Sequence, residues 1–175
     1  IPDGGRGGGG GGENSLGIIT ARQNFKDTAW FEARIVTDEN GRAQVDVILP
    51  ENLTTWQADV RAVTPDSRVG QTTQNLLSTK PLFVQLQTPR FFVVGDQATV
   101  GATIFNNSEE TLKVNISLDA QGVDLQSDAA QAIEVEGRQQ AYVTWDVVVH
   151  SDAKRVDMTA TATSGQFTDA SKPAV

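Results

Sequence analysis

The stretch LFVQLQTPRFFVVGDQATVGATIFNNSEETLKVNISL, residues 82–118, decides the fold class of this chain. Apolar and polar side chains alternate along three short runs within it, which is the period of a β-strand with one buried face. Turn residues separate the runs at Gly95-Asp96 and at Asn106-Asn107. The stretch therefore predicts consecutive strands. The inward positions are Leu82, Val84 and Leu86, then Val100, Ala102 and Ile104, then Leu112, Val114, Ile116 and Leu118.

The same alternation continues towards the C-terminus, and no long stretch shows the 3.6-residue period of a helix. Two further inward faces are Ala141, Val143, Trp145, Val147 and Val149, and Val156, Met158, Ala160 and Ala162. Six or seven short strands at this spacing predict a β-sandwich of about 100 residues. We assign that domain to residues 82–175.

Upstream of residue 82 the pattern predicts a second, smaller set of strands. Residues 30–37 and 43–49 flank the turn cluster at 38–41 and indicate a hairpin. The next strand is expected to turn Trp56, Ala58, Val60 and Ala62 inward, and a less regular strand returns from Val69 to Leu77. The domain boundary is placed at Lys80-Pro81, so this domain covers residues 15–81.

The N-terminus is a glycine run, because eight of the first twelve residues are glycine. Such a run has no side chains to bury and great backbone freedom, so residues 1–14 are expected to be a flexible, accessible segment. Arg6 interrupts the run, and its charge suits the acidic specificity pocket of a trypsin-like protease. Gly4, Gly5, Arg6, Gly7 and Gly8 are therefore a candidate cleavage segment, and an inter-domain linker is the alternative.

Composition excludes several function classes. The net charge is −8 and the basic residues are scattered, which argues against nucleic acid as a partner. The absence of cysteine rules out disulfides, thiolate metal sites and a thioester within this chain. No apolar run approaches the roughly 20 residues that span a bilayer, so no direct membrane insertion is expected. A start at Ile1 suggests a fragment or a processed chain.

No group of residues forms a convincing catalytic, metal or cofactor site. Asp38, Asn40 and Gly41 loosely match a calcium loop, but the later ligands are missing and a hairpin turn is favoured. The neighbouring His150, Ser151 and Asp152 are interpreted as a surface turn.

The aromatic residues are interpreted as packing residues. Trp30, Trp56 and Trp145 are assigned to core positions rather than to ligand platforms. Phe91 and Phe92 point to opposite faces if the chain is extended there, which predicts that one of them contacts a neighbouring domain.

The order of four sequence blocks resembles the α2-macroglobulin family, particularly its bacterial members. The blocks are NFKDTAWF at 24–31, TDENG at 37–41, LPENLTTWQADVRAV at 49–63 and TPRFFVVGDQATVGATIFNN at 88–107. The resemblance covers most of residues 22–120. It implies two fibronectin/immunoglobulin-like antiparallel β-sandwich (macroglobulin) domains in an all-β chain, the first of them incomplete.

The resemblance also implies a place in a longer protein. Residues 1–14 would be the end of the bait region, the loop that target proteases cut, and residues 82–175 the complete next macroglobulin domain. The partners would be target proteases, bound through the parent protein, and the neighbouring macroglobulin domains. The location would be extracytoplasmic, in the periplasm, at the cell surface or secreted. An unpaired sheet edge in the incomplete domain is expected to associate with residues 13–21 or with another chain.

Three functions remain open on the sequence. The first is a fragment of a bacterial protease-trapping macroglobulin. The second is a structural or adhesive cell-surface sandwich with a glycine-rich linker. The third is an enzyme acting through exposed carboxylates such as Asp96 or Glu109, and no arrangement of residues favours it. We expect no enzyme activity and no cofactor.

Overall fold

The computed structural model describes residues 19–174 and is all-β, with no helix in that range. The candidate cleavage segment at Gly4–Gly8 lies outside the described residues. Ten strands follow in chain order: β1 Thr55–Val63, β2 Val69–Leu77, β3 Leu82–Gln87, β4 Gln97–Asn106, β5 Leu112–Gln121, β6 Val123–Leu125, β7 Ala130–Val135, β8 Gln140–Val149, β9 Asp157–Ser164 and β10 Phe167–Ser171.

Strands β3 to β10 form a β-sandwich of two four-stranded sheets. One sheet has the order β3-β4-β8-β6 and the other the order β10-β9-β5-β7, and all pairs are antiparallel. The structure has eight strands where the sequence predicted six or seven. The three that alternation did not single out, β6, β7 and β10, are short, with three, six and five residues.

The core lies between these sheets, and the predicted inward faces are confirmed. Val84, Ile104 and Ile116 are completely buried, and polar residues occupy the alternate positions of β5 and β8. Burying one such side chain contributes roughly 1.5–3 kcal/mol. Trp145 is a core residue, as predicted. Its side chain is fully buried, and its indole Nε1–H donates to the Ala129 carbonyl at 3.2 Å.

The chain passes from one sheet to the other through a single residue, Gly122, between β5 and β6. Its φ of +81° lies in the left-handed region that glycine adopts without strain. A Cβ at this position would lie 2.2 Å from the Arg155 carbonyl oxygen, so no other residue fits without movement.

Before the sandwich, β1 and β2 form a two-stranded sheet with Thr55 opposite Leu77 and Val63 opposite Val69. Both faces of this hairpin are open. Val60 is 56% exposed, and Ala58 and Ala62 are exposed as well, so the predicted inward face of β1 is not covered. That prediction is wrong for the described residues because none of them forms a second sheet over the hairpin.

Residues 19–54 contain no strand, only an isolated bridge at Arg22. The turn predicted at 38–41 is present, with Gly41 at a φ of +74° and Asp38 Oδ1 accepting from the N–H of Asn40 and of Arg42. The strands predicted at 30–37 and 43–49 are absent. Trp30 is 42% exposed instead of buried.

Phe91 and Phe92 alternate as predicted. Phe91 is exposed, and Phe92 is half-buried and packs against the sandwich core. Contact of Phe91 with a neighbouring domain stays a prediction.

Candidate functional site at the open side of the sandwich

A buried carboxylate, Asp169 on β10, lies where the two sheets of the sandwich meet. Strands β3 and β10 are edge strands of opposite sheets and pack against each other on this side. The Asp169 side chain is completely inaccessible. It accepts from the main-chain N–H of Val84 on β3, from Oδ2 to N at 3.0 Å. One carboxylate thus connects the two sheets along their open side.

Two cations complete the environment of Asp169. Arg22 donates through Nε to Oδ1 at 3.0 Å and through Nη2 to Oδ2 at 2.7 Å, which is the bidentate geometry of a strong charge-assisted pair. Lys80 donates through Nζ to Oδ1 at 2.6 Å. The Lys80 side chain is 42% exposed, whereas that of Arg22 is only 10% exposed. The pair with Arg22 is therefore the more shielded and the stronger of the two.

The pKa of Asp169 is lowered from its ordinary value of 3.8. Burial is the largest influence and by itself raises the pKa. The hydrogen bonds from Arg22, Lys80 and the Val84 N–H, together with the charge of Arg22, outweigh burial and favour the ionised form. Asp169 is therefore ionised at neutral pH, and its negative charge pairs with Arg22 and with Lys80.

Arg22 is also attached through its main chain. Its N–H donates to the Ala170 carbonyl at 2.8 Å, and the Lys172 N–H donates to the Arg22 carbonyl at 2.8 Å. These bonds form a parallel bridge opposite Ser171 on the free edge of β10. The guanidinium donates further to the Val84 carbonyl at 2.6 Å. The main-chain N–H, the main-chain carbonyl and all three guanidinium nitrogens of Arg22 therefore form hydrogen bonds.

Side chains take the place of a neighbouring strand beside Val84. Its N–H is bound by Asp169 and its carbonyl by Arg22, so neither group is offered to another chain. Edge strands with free N–H and carbonyl groups recruit foreign strands. The ion pair therefore protects the edge of β3 at this residue.

Glu51 fixes the segment that follows Arg22. Its Oε2 accepts from the N–H of Gln23 and of Asn24, each at 2.8 Å, and its own N–H donates to the Asn24 carbonyl at 2.9 Å. The hydrogen bonds from Asn24 and Gln23 lower the pKa of the Glu51 carboxyl. The Glu51 carbonyl accepts from Arg22 Nη1 at 3.2 Å. We call Arg22, Glu51, Lys80, Val84 and Asp169 the Asp169 site.

The connector between the hairpin and the sandwich is held at the same end. Asn107 Nδ2 donates to Thr79 Oγ1 at 2.7 Å and to the Lys80 carbonyl at 3.0 Å, and its N–H donates to the Pro81 carbonyl. The neighbouring Asn106 is buried, and its Nδ2 donates to three carbonyls, those of Glu110, Val135 and Glu136. The connector is therefore fixed to the β4–β5 turn.

A cleft of about 660 Å³ adjoins the Asp169 site. Phe25, Phe83 and Trp56 contribute aromatic walls, and Arg22 lies at one side. The indole Nε1 of Trp56 is buried and has no hydrogen-bond partner among residues 19–174. Within the same residues no cluster of three or more His, Cys, Asp or Glu side chains could hold a metal ion.

The other polar residues singled out by the sequence do not meet in one site. His150 pairs through Nε2 with Asp124 Oδ1 at 3.0 Å and lies in a turn at the surface, as predicted. Asp96 Oδ2 accepts from the Val93 N–H within its turn. Glu109 pairs with Arg138, and this contact lowers the pKa of Glu109.

Sequence reasoning missed the Asp169 site. Arg22 and Asp169 are 147 residues apart, so no local pattern connects them. No sequence pattern marked Asp169 as buried, because β10 was not predicted, and only the structure shows that Asp169 pairs with the buried Ala162 of β9. A carboxylate at a buried position needs a partner, although the sequence does not say which residue supplies it.

Comparison with known proteins gives one consistent result. The profile of the "Alpha-2-macroglobulin family" matches residues 28–118. An "Alpha-2-macroglobulin homolog" of Nostoc sp. is 32% identical over 119 residues, covering 67% of this chain and 6% of the relative. "Alpha-2-macroglobulin-like protein 1" of Mus musculus is 28% identical over 153 residues, covering 84% of this chain and 10% of the relative.

Solved structures show the same fold at lower identity. Trypsin-activated alpha-2-macroglobulin from Escherichia coli superposes with a TM-score of 0.65 at 19% identity, covering 79% of this chain and 10% of that one. The Escherichia coli protein activated by porcine elastase gives a TM-score of 0.64 at 18% identity, covering 87% of this chain and 15% of that one. The chain spans a tenth or less of the length of the curated relatives it matches. Among residues 19–174 no helix could cross a membrane.

Proposed function

Because the chain belongs to the alpha-2-macroglobulin family, we propose that it is part of a bacterial protease-trapping protein and includes the end of its bait region. In this proposal residues 1–14 are the end of the bait. Residues 15–81 are the part of a macroglobulin domain that follows the bait, and residues 82–175 are the complete next domain. The chain works as scaffold and not as an enzyme, without a cofactor and outside the cytoplasm.

The observation that carries the proposal is the fixed point directly after the glycine run. Arg22 is buried in the sandwich, and Glu51 holds the two residues that follow it. A cut at Arg6 would separate the chain up to Arg6 from Arg22, which is held on the ordered sandwich. Cleavage can then release a constraint and change the conformation of the parent. Related proteins of the same fold are described as activated by trypsin and by elastase, which supports this use.

The open hairpin supports the assignment of an incomplete first domain. Large apolar side chains on β1 and β2 are exposed: Val60, Val63, Val69, Leu76 and Leu77. The register puts Val60 and Leu76 on one face of the hairpin and Val63, Val69 and Leu77 on the other, so both faces expose apolar side chains that a covering layer would bury. We propose that strands upstream of the bait in the parent chain cover this surface, so that the neighbouring parts of the parent are partners of this segment. In the isolated chain the same hairpin would associate with another chain.

Limited trypsin treatment of the parent protein tests the proposal. We expect a new N-terminus at Gly7 and a more compact particle, measured by small-angle scattering and sedimentation velocity. Arg6→Gln is the matched control, because it removes the trypsin site and leaves the glycine run unchanged. Cleavage at Arg6 that leaves the particle unchanged in shape would refute trapping. A run that trypsin does not cut would refute the bait assignment at Arg6.

A further inference from the structure

We propose that the Arg22–Asp169 ion pair is the anchor of the downstream end of the bait, and that it keeps the uncleaved parent protein in its pre-cleavage conformation. This inference rests on the proposed function, because it takes the glycine run as the cleaved segment. It goes further by naming the residue pair that bears the constraint.

The attachment of the segment after the glycine run converges on one residue. Among residues 19–49, Arg22 is the only one that is buried. Its neighbours Gln23, Asn24, Phe25 and Lys26 are exposed. None of the apolar side chains of residues 19–49 packs against the sandwich core, so a pull on the glycine run reaches the sandwich mainly through Arg22.

The main-chain contribution to this attachment is small. The bridge to β10 involves one residue and two hydrogen bonds, those between Arg22 and the main chains of Ala170 and Lys172. The side chain adds the bidentate pair with Asp169 and a hydrogen bond to the Val84 carbonyl. Charge-assisted hydrogen bonds are roughly twice as strong as neutral ones. The ion pair therefore contributes most of the free energy that attaches Arg22 to the sandwich.

Burial makes the anchor behave as a two-state contact. If Arg22 leaves, Asp169 keeps only Lys80 as a cation partner, and the Lys80 side chain is 42% exposed. A buried charge that loses its partner is strongly unfavourable, so partial withdrawal of Arg22 is disfavoured. The segment is therefore either held in full or released in full, as a constraint that opens on cleavage requires.

The test compares the conformation of the parent protein before protease is added. Arg22→Lys keeps the charge and loses the bidentate geometry, and Asp169→Asn removes the charge. We expect both variants to adopt the compact form spontaneously, with at least a tenfold larger fraction of compact particles than in the wild type. Trypsin should still cut at Arg6 in both. Arg138→Ala is the control, because it removes an exposed ion pair, with Glu109, in the same domain.

A disulfide removes folding as an alternative explanation. Arg22 and Ser171 are partners in an isolated parallel bridge, and the separation of bridge partners is one that a disulfide spans. In Arg22→Cys/Ser171→Cys the oxidised parent is expected to keep the pre-cleavage form, and the reduced parent is expected to convert without protease. Mass spectrometry of the linked peptides identifies the oxidised state, and wild type in the same redox buffers is the reference.

The outcomes separate the anchor from the proposed function. If the wild type is cut without changing shape, the proposed function fails. If the wild type changes shape on cleavage but the variants keep the pre-cleavage form, and the oxidised and reduced disulfide variants behave alike, the anchor alone is refuted. Val114→Ala, which weakens the same sandwich core away from Arg22, must not trigger conversion. If it does, a general loss of stability explains the result and the anchor is refuted.

Discussion

Replacing Asp169 by asparagine in the 175-residue chain should lower its free energy of unfolding by about 3–5 kcal/mol. Removing one partner of a buried ion pair costs about 3–5 kcal/mol, because the other charge stays buried without compensation. The contact with the half-exposed Lys80 adds at most about 1 kcal/mol. Asparagine keeps one acceptor oxygen for the Val84 N–H, which recovers about 1 kcal/mol.

Urea unfolding followed by tryptophan fluorescence measures this change, since Trp145 is fully buried in the sandwich and reports on its packing. For a chain of this size the loss corresponds to a decrease in Tm of about 6–20 °C. Glu109→Gln is the control, because Glu109 pairs with Arg138 at the surface, and its effect on stability should be much smaller. A loss below about 1 kcal/mol for Asp169→Asn would contradict the stabilising role of the pair.

Three further predictions concern the sandwich. Because the folded pKa of Asp169 lies below its ordinary value of 3.8, its contribution is complete above that pH and lost as the pH falls through the folded pKa. The stability difference between wild type and Asp169→Asn should therefore shrink below about pH 4, and a constant difference in urea titrations from pH 7 to pH 2 would oppose this. Gly122→Ala should cost more than about 1 kcal/mol in thermal unfolding, because φ is positive and a Cβ meets a carbonyl. Gly70→Ala, with free space around the new Cβ, should change little. Asn106→Ala removes a buried amide that donates to three carbonyls, among them that of Val135, and should cost about 1–3 kcal/mol in urea unfolding, and a neutral result would show that other donors replace the amide.

The sandwich was predictable because apolar and polar side chains alternate along most of its strands. The inward positions of β3, β4, β5, β8 and β9 follow from alternation alone, and the structure buries them. Alternation needs a run of several residues to be visible. The three residues of β6 are too few, and β7 is exposed or half-exposed at five of its six positions.

The first part of the chain was not predictable by the same means. Strand β1 has the alternation that is typical of a strand face packed on a core, but no described residue forms a layer over that face. Its members are Trp56, Ala58, Val60 and Ala62. A sequence pattern records the environment in the complete protein, and this chain is a tenth or less of its relatives. The pairing of Arg22 with Asp169 was hidden for another reason, since it depends on tertiary contact between distant positions.

The separation of 147 residues between Arg22 and Asp169 also sets an order of events during synthesis. At the usual pace of translation, Arg22 leaves the ribosome on the order of 10 s before Asp169 does. During that time the Arg22 guanidinium lacks Asp169 as its partner, and the Val84 N–H lacks Asp169 as its acceptor. Asp169 lies on β10, the last strand of the sandwich, so the carboxylate is buried only when the sandwich closes. Under the proposed anchor role of Arg22, the attachment of its segment therefore forms only after the sandwich is complete.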